Sequence, residues 1–366
     1  MSGCVSFSEE LLANKITSLD RTSGKYHSLI LEYCTSLLQP GAIATEEDKY
    51  KLVLDKIKKL WVKSEKETGL FDTVEKFEEV LKGMRDRDYR DHFIHSFNVF
   101  LLGYYILNRL DMTQSESMSN DVDLSWMLAA TFHDVAYTIQ DMEFWVNQLI
   151  WEFLGINPNL SINVAQILPI TYPDFMKIIS GWHKGHHQSA LEYYRIDSID
   201  WTFLNEMNAS LTQRKDHGVL GALMLAHLLA IRHGFLPREG VYGNFLYNHV
   251  PACHAISVHH MSAVKVSFEK HPLAFLLILC DELQDEGRPR ARGKREESDT
   301  IKLVDIEVIR ANLSSTNKPP RITVKIEASE QKQKSFVDTL RERLVEADPE
   351  TLVIKNADDK IIFPGL

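Results

Sequence analysis

The sequence predicts a mainly α-helical protein that ends in a small α+β appendage. Two observations carry this. Apolar residues recur at three- and four-residue spacing through successive segments as far as Leu283, the period of a helix with one buried face. From Ile301 the period changes to two, as in Ile301-Lys302-Leu303-Val304-Asp305-Ile306-Glu307-Val308-Ile309 and Ile322-Thr323-Val324-Lys325-Ile326, which is the alternation of half-buried strands. The chain therefore divides into N-terminal helices over 1–88, a helical core over 89–298 and the appendage over 299–366.

In order, residues 8 to 37 read as one or two amphipathic helices, broken by Gln39-Pro40-Gly41. A second helical region runs from Glu46 through Val62, and Thr73 is placed to cap a third over Val74 to Met84. A strongly apolar helix opens around Tyr89 and runs to Leu110; the polar stretch Asp111 to Asp123 connects it to another over Leu124 to His133. Trp145, Leu149, Trp151, Phe153 and Leu154 suggest a further helix, and Pro158, Pro169 and Pro173 mark turns. Val219 to Arg232 is a long apolar helix in which Gly221 and Ala222 permit close approach of a neighbour. Cys253 to His260 and Leu273 to Cys280 are two more. Ser335 to Leu344 reads as the appendage helix, and 351–354 and 360–363 as short strands.

With 366 residues, 44% hydrophobic and 25% charged, the chain is composed like an ordinary globular protein rather than a disordered one. Its net charge of −10 argues against general nucleic-acid or anionic-membrane binding. The first ten residues lack a basic region followed by an apolar one, and no apolar run approaches the roughly 20 residues needed to span a bilayer. Cys4, Cys34, Cys253 and Cys280 show neither metal nor redox spacing. A soluble protein of a reducing cytoplasm is expected.

The chemistry is concentrated in single His and Asp residues set on apolar helices. Phe132-His133-Asp134 ends one of them, and an acid in such a setting is rarely buried without a partner or a metal. His95 lies on the helix before it, His217 in the first turn of the long apolar helix, His259 near the end of the next, and Asp281 after the apolar run from Leu273. Each has a dull alternative as a hydrogen-bonded core residue. Together, four imidazoles and two carboxylates suit two divalent cations bridged by a carboxylate, with Fe, Mn, Ni and Zn all compatible. His92 competes with His95, and His260 with His259. The cluster His183, His186 and His187, with Lys184 among them, reads equally as a contact for an anionic substrate and as an exposed loop, and could also supply an imidazole in place of His217.

The order His95…His133-Asp134…His217…His259…Asp281 resembles the HD superfamily of metal-dependent phosphohydrolases, in its expanded H…HD…H…H…D form. The resemblance rests on His95-Ser96-Phe97-Asn98-Val99, Phe132-His133-Asp134-Val135, His217-Gly218-Val219-Leu220-Gly221-Ala222, Ala255-Ile256-Ser257-Val258-His259 and Leu277-Ile278-Leu279-Cys280-Asp281, and covers about residues 90 to 285. It implies an HD helical bundle and two divalent metals per chain. His95, His133, His217 and His259 would be terminal ligands, Asp134 the bridge, and Asp281 the remaining carboxylate. It also implies hydrolysis of a nucleotide or small phosphoester by metal-activated water. Lys184, His183, His186 or Arg288 would hold the phosphate or protonate the leaving group. The basic loop Arg288 to Arg295 is otherwise a solvated segment. Both the cyclic-dinucleotide hydrolases and the inositol-oxygenase type commonly carry Lys three residues after the motif Asp, where this chain has Tyr137. Two further readings use the same residues: a di-iron oxygenase, and a metal-binding sensor or scaffold without catalysis. A small phosphorylated molecule is the expected partner, with no membrane and no nucleic acid, and oligomerisation is left open.

Overall fold

The computed structural model describes residues 5–19, 26–41, 43–65, 75, 92–112, 122–156, 172–185, 199–211, 216–232, 242–284, 300–310, 320–345 and 351–364. Its helices are α1 (Phe7–Thr17), α2 (His27–Leu38), α3 (Glu46–Glu65), α4 (His92–Leu110), α5 (Val122–Phe132), α6 (Tyr137–Leu154), α7 (Tyr172–His183), α8 (Trp201–Ala209), α9 (His217–Arg232), α10 (Tyr242–Val258) and α11 (Pro272–Leu283). The strands β1 (Lys302–Ile309) and β2 (Arg321–Glu327), helix α12 (Glu330–Arg343), and the strands β3 (Leu352–Lys355) and β4 (Ile361–Phe363) complete the chain. The protein is thus mainly α with a C-terminal α+β appendage. Of the expected helix over Val74 to Met84 only Glu75 is among the described residues, and it is helical. Among the described residues no helix is long and apolar enough to cross a membrane.

The chain divides into two compact units, one of residues 1–130 with 265–366, the other of residues 131–264. Both boundaries fall inside the 89–298 stretch that reads along the sequence as one helical domain. His95 and Asp281 accordingly belong to the first unit, and His133, Asp134, His217 and His259 to the second.

In the first unit α1 begins with a capping box: the Ser6 hydroxyl accepts from the Glu9 amide and the Glu9 carboxylate accepts from the Ser6 amide. That carboxylate is itself buried. It also takes the Lys49 ammonium of α3 at 2.7 Å and the Asn98 side-chain amide of α4 at 2.9 Å, tying three helices together. Gly103 of α4 is required by α5, because a Cβ there would sit 1.8 Å from a ring carbon of Trp126. The Trp126 indole N–H in turn donates to the Phe100 carbonyl at 2.9 Å. α11 is buried on all sides from Leu273 to Asp281, which is the setting of a central rather than an amphipathic helix.

The appendage is built into this first unit. Its sheet has the order β1-β2-β3-β4, with β1/β2 and β3/β4 antiparallel and β2/β3 parallel. Strict alternation from Leu303 would bury Asp305. A bulge between Leu303 and Asp305 turns the acid outward and buries Ile306 instead. Ile322, Val324 and Ile326 line the same interior, as do Phe336, Val337 and Leu340 of α12. The Leu303 amide donates to the Ser8 hydroxyl at 3.0 Å, so β1 is anchored on α1.

In the second unit α9 packs on α10, α10 on α7, and α7 on α8. The expected helix around Trp145 is α6, but Leu149, Trp151 and Phe153 in it are exposed. Gly221 of α9 approaches the Phe132 carbonyl, where a Cβ would lie at 3.1 Å, as its small size suggests. Gly218 is held more tightly. A Cβ there would meet the Ile256 carbonyl at 2.6 Å and the His259 ring at 2.9 Å.

Candidate metal centre

His133 and Asp134 stand in the turn between α5 and α6, where the Val135 amide bonds back to Phe132 and the Tyr137 amide to the Asp134 carbonyl. The break leaves both side chains free of helix geometry. His133 is fully buried, with Nε2 at 3.3 Å from Asp134 Oδ2, and its ring meets that of His259 edge-on.

The other carboxylate oxygen faces two more imidazoles. Asp134 Oδ1 lies 3.6 Å from His217 Nε2 and 4.0 Å from His259 Nε2. These spacings exceed those of hydrogen bonds. They are no longer than two metal–ligand bonds end to end, about 4.0–4.4 Å for Zn-like cations. The three atoms can therefore hold one cation among them, and Asp134, His217 and His259 form such a group.

Each member is oriented from behind. His259 Nδ1 donates to the Ile256 carbonyl at 2.6 Å, which leaves Nε2 as the lone-pair nitrogen directed at Asp134. His217 is stacked on the Tyr137 ring, with centroids 3.7 Å apart and planes 21° from parallel. Asp216 caps α9, its Oδ1 accepting from the amides of Gly218 at 2.8 Å and Val219 at 3.3 Å. Burial, reinforced by the charge of His259, lowers the His217 pKa well below 6.5. Its imidazole is neutral, the form that ligates. Burial pushes the Asp216 carboxyl up, but the His260 hydrogen bond and imidazole charges outweigh it and bring the pKa to about 2.

In the first unit His95 of α4 and Asp281 of α11 form a second buried pair, Nε2 to Oδ1 at 3.0 Å. An imidazole and a carboxylate at this distance make a direct hydrogen bond, and equally match neighbouring ligands on one cation.

The remaining candidates fall elsewhere. His260 is half exposed and turned to Asp216 at 3.4 Å, whereas His259 faces Asp134. His183 ends α7 and directs Nδ1 at His254 Nε2 of α10, 3.1 Å away, so it belongs to a different group; Lys184 beside it is exposed. His186, His187 and Arg288, with the rest of the basic loop, lie outside the described residues, as does the His92 side chain. Burial pushes the Cys34 and Cys253 thiols up to about 12 and Cys280 well above its ordinary value, so none of the three offers a thiolate.

Sequence reasoning missed the cap at Asp216, the close approach at Gly218 and the stacking of Tyr137 on His217. For Asp216 a signal existed, since an Asp directly before an apolar helical run is an N-cap pattern. For the other two nothing in the sequence marks the neighbour that gives them their role. Comparison of the chain with protein-family models, with curated proteins and with solved structures gave no match in any of the three.

Proposed function

We propose that the protein is a metal-dependent phosphohydrolase of the HD type, acting on a nucleotide or another small phosphoester. The observation that supports this most is the disposition of Asp134, one of whose oxygens is set at 3.6 and 4.0 Å from two imidazole nitrogens, with His133 beside the other. In this reading Asp134, His217 and His259 hold a cation, with His133 adjacent. The order of the six residues along the chain, rather than a distance, is what adds His95 and Asp281 as ligands of a second. When bound, such cations lower the pKa of a water and offset charge developing on phosphoryl oxygens.

The protein's own residues do the rest by preorganisation. Ile256 fixes the His259 tautomer, Tyr137 fixes the plane of His217, and the Asp216 cap fixes the start of α9 that carries it. Tyr137 stands where many members of that superfamily have Lys, so phosphate neutralisation falls to the metals and to cations outside this turn; Lys184 and Arg288 are the ones we propose. His183, committed to His254, takes no part in this reading.

The test is a panel of nucleotides and small phosphoesters, with the protein reconstituted separately with Mn, Fe, Ni and Zn. Phosphate release that requires metal and disappears in Asp134→Ala is the expected result. Oxygen uptake with iron and no phosphate release from any substrate would replace the reading with the di-iron oxygenase.

A further inference from the structure

The pair His183–His254 is the second concentration of imidazoles in unit 2, and it lies outside the Asp134 group. His183 closes α7 and is half-buried, whereas His254, in the body of α10, is 1% exposed. Their rings meet nitrogen to nitrogen, His183 Nδ1 to His254 Nε2 at 3.1 Å. Phe203 lies flat on the His183 ring with centroids 4.0 Å apart and planes 9° from parallel. That contact is itself anchored. Ser180 of α7 donates to the Asp200 carbonyl and accepts from the Asp200 amide, and the Asp200 side chain caps α8, which carries Phe203.

Two imidazole nitrogens facing each other cannot both keep a proton without repulsion, and cannot both be bare without opposing lone pairs. The gap therefore favours one electrophile between them, a shared proton or a metal cation. At Zn–N bonds of about 2.0–2.1 Å, a separation of 3.1 Å corresponds to an N–metal–N angle of roughly 95–102°, between octahedral and tetrahedral values. The half-exposed His183 and the exposed Lys184 and Gly185 after it leave one side open to water as further ligands. Imidazole donors select Zn, Cu, Ni or Co over Mg and Ca.

We propose that His183 and His254 form a binding site for a borderline divalent cation such as Zn2+, separate from the Asp134 group and not dependent on it. Phe203 holds the half-exposed imidazole in the orientation that ligation needs, so the site is preformed rather than assembled from mobile side chains.

The test compares Zn2+ binding in four proteins: wild type, Asp134→Ala, His183→Ala and the Asp134→Ala/His183→Ala double variant. Removing His183 should cost about one equivalent in both backgrounds, as expected for a two-imidazole site that does not use Asp134. Unchanged stoichiometry and affinity on removing His183, or loss of all Zn2+ binding in Asp134→Ala alone, would overturn the proposal. A readout without substitutions guards against misfolded variants. In histidine 1H–15N spectra of the wild-type protein, Zn2+ should shift the His183 Nδ1 and His254 Nε2 resonances, and unmoved resonances would contradict the site. Failure of the phosphohydrolase reading would leave these results unchanged, because neither readout uses catalysis.

Discussion

His259 donates its Nδ1 proton to the carbonyl of Ile256 at 2.6 Å, three residues back in the last turn of α10. The same carbonyl is the atom nearest to a Cβ built on Gly218, at 2.6 Å. One backbone oxygen thus sets the tautomer of a candidate ligand and forbids a side chain on the helix that carries the other. Gly218→Ala must push α9 away from α10, and overpacking of this kind costs about 1–3 kcal/mol. A lowered melting temperature with weakened metal binding is the expected outcome. Gly221→Ala, whose Cβ would meet the Phe132 carbonyl at 3.1 Å, should cost less.

The Asp216 carboxylate carries both a helix cap and a charge. Its folded pKa of about 2 lies below the ordinary value of 3.8, so its contribution is complete above about pH 4 and is lost as pH falls through 2. Asp216→Asn keeps a cap acceptor and should flatten this part of the acid unfolding curve. Asp216→Ala should in addition lose about 1 kcal/mol of capping at neutral pH. Chemical denaturation of the three proteins between pH 2 and 7 separates the two effects.

His217 acts in the same direction in a higher pH window. Its folded pKa lies below 6.5, so below that pH the unfolded chain takes up a proton that the buried imidazole refuses. Metal-free protein should lose stability as pH drops below about 6.5, and His217→Gln should remove part of that loss. Equal pH slopes in the two proteins would refute a buried neutral imidazole at this position.

In the first unit, Glu9 is the shared partner of Lys49 and Asn98. Glu9→Gln takes the carboxylate away from the buried Lys49 ammonium 2.7 Å from it, and breaking a buried pair in this way costs about 3–5 kcal/mol. Glu9→Gln/Lys49→Met should recover much of the loss, measured by urea denaturation, because the buried charge is then removed with its partner.

Much of this architecture was legible along the chain. The change of period at Ile301 marks the appendage, and the apolar run before Asp281 marks a helix buried on all sides. His133-Asp134 stands out because an acid at the end of an apolar helix is chemically unusual. What escaped depends on neighbours far away in sequence. The need for glycine at 218 comes from Ile256, and the part played by Tyr137 comes from the ring of His217. Helix α10 starts at Tyr242, well before the Cys253 at which its apolar period begins, and continues through Pro251, because packing against α9 and α7 outweighs one lost backbone hydrogen bond. The His183 imidazole reads equally as exposed loop or contact for an anionic substrate until His254 and Phe203 are seen beside it.

The most direct test of the central claim is elemental analysis of metal per chain in the wild-type protein and in Asp134→Ala, each reconstituted with Mn, Fe, Ni and Zn. The account predicts that the wild type retains metal after desalting and that Asp134→Ala holds at least one equivalent less. Equal metal content in the two proteins, or no retained metal with any of the four ions, would contradict the assignment of Asp134, His217 and His259 as a metal centre.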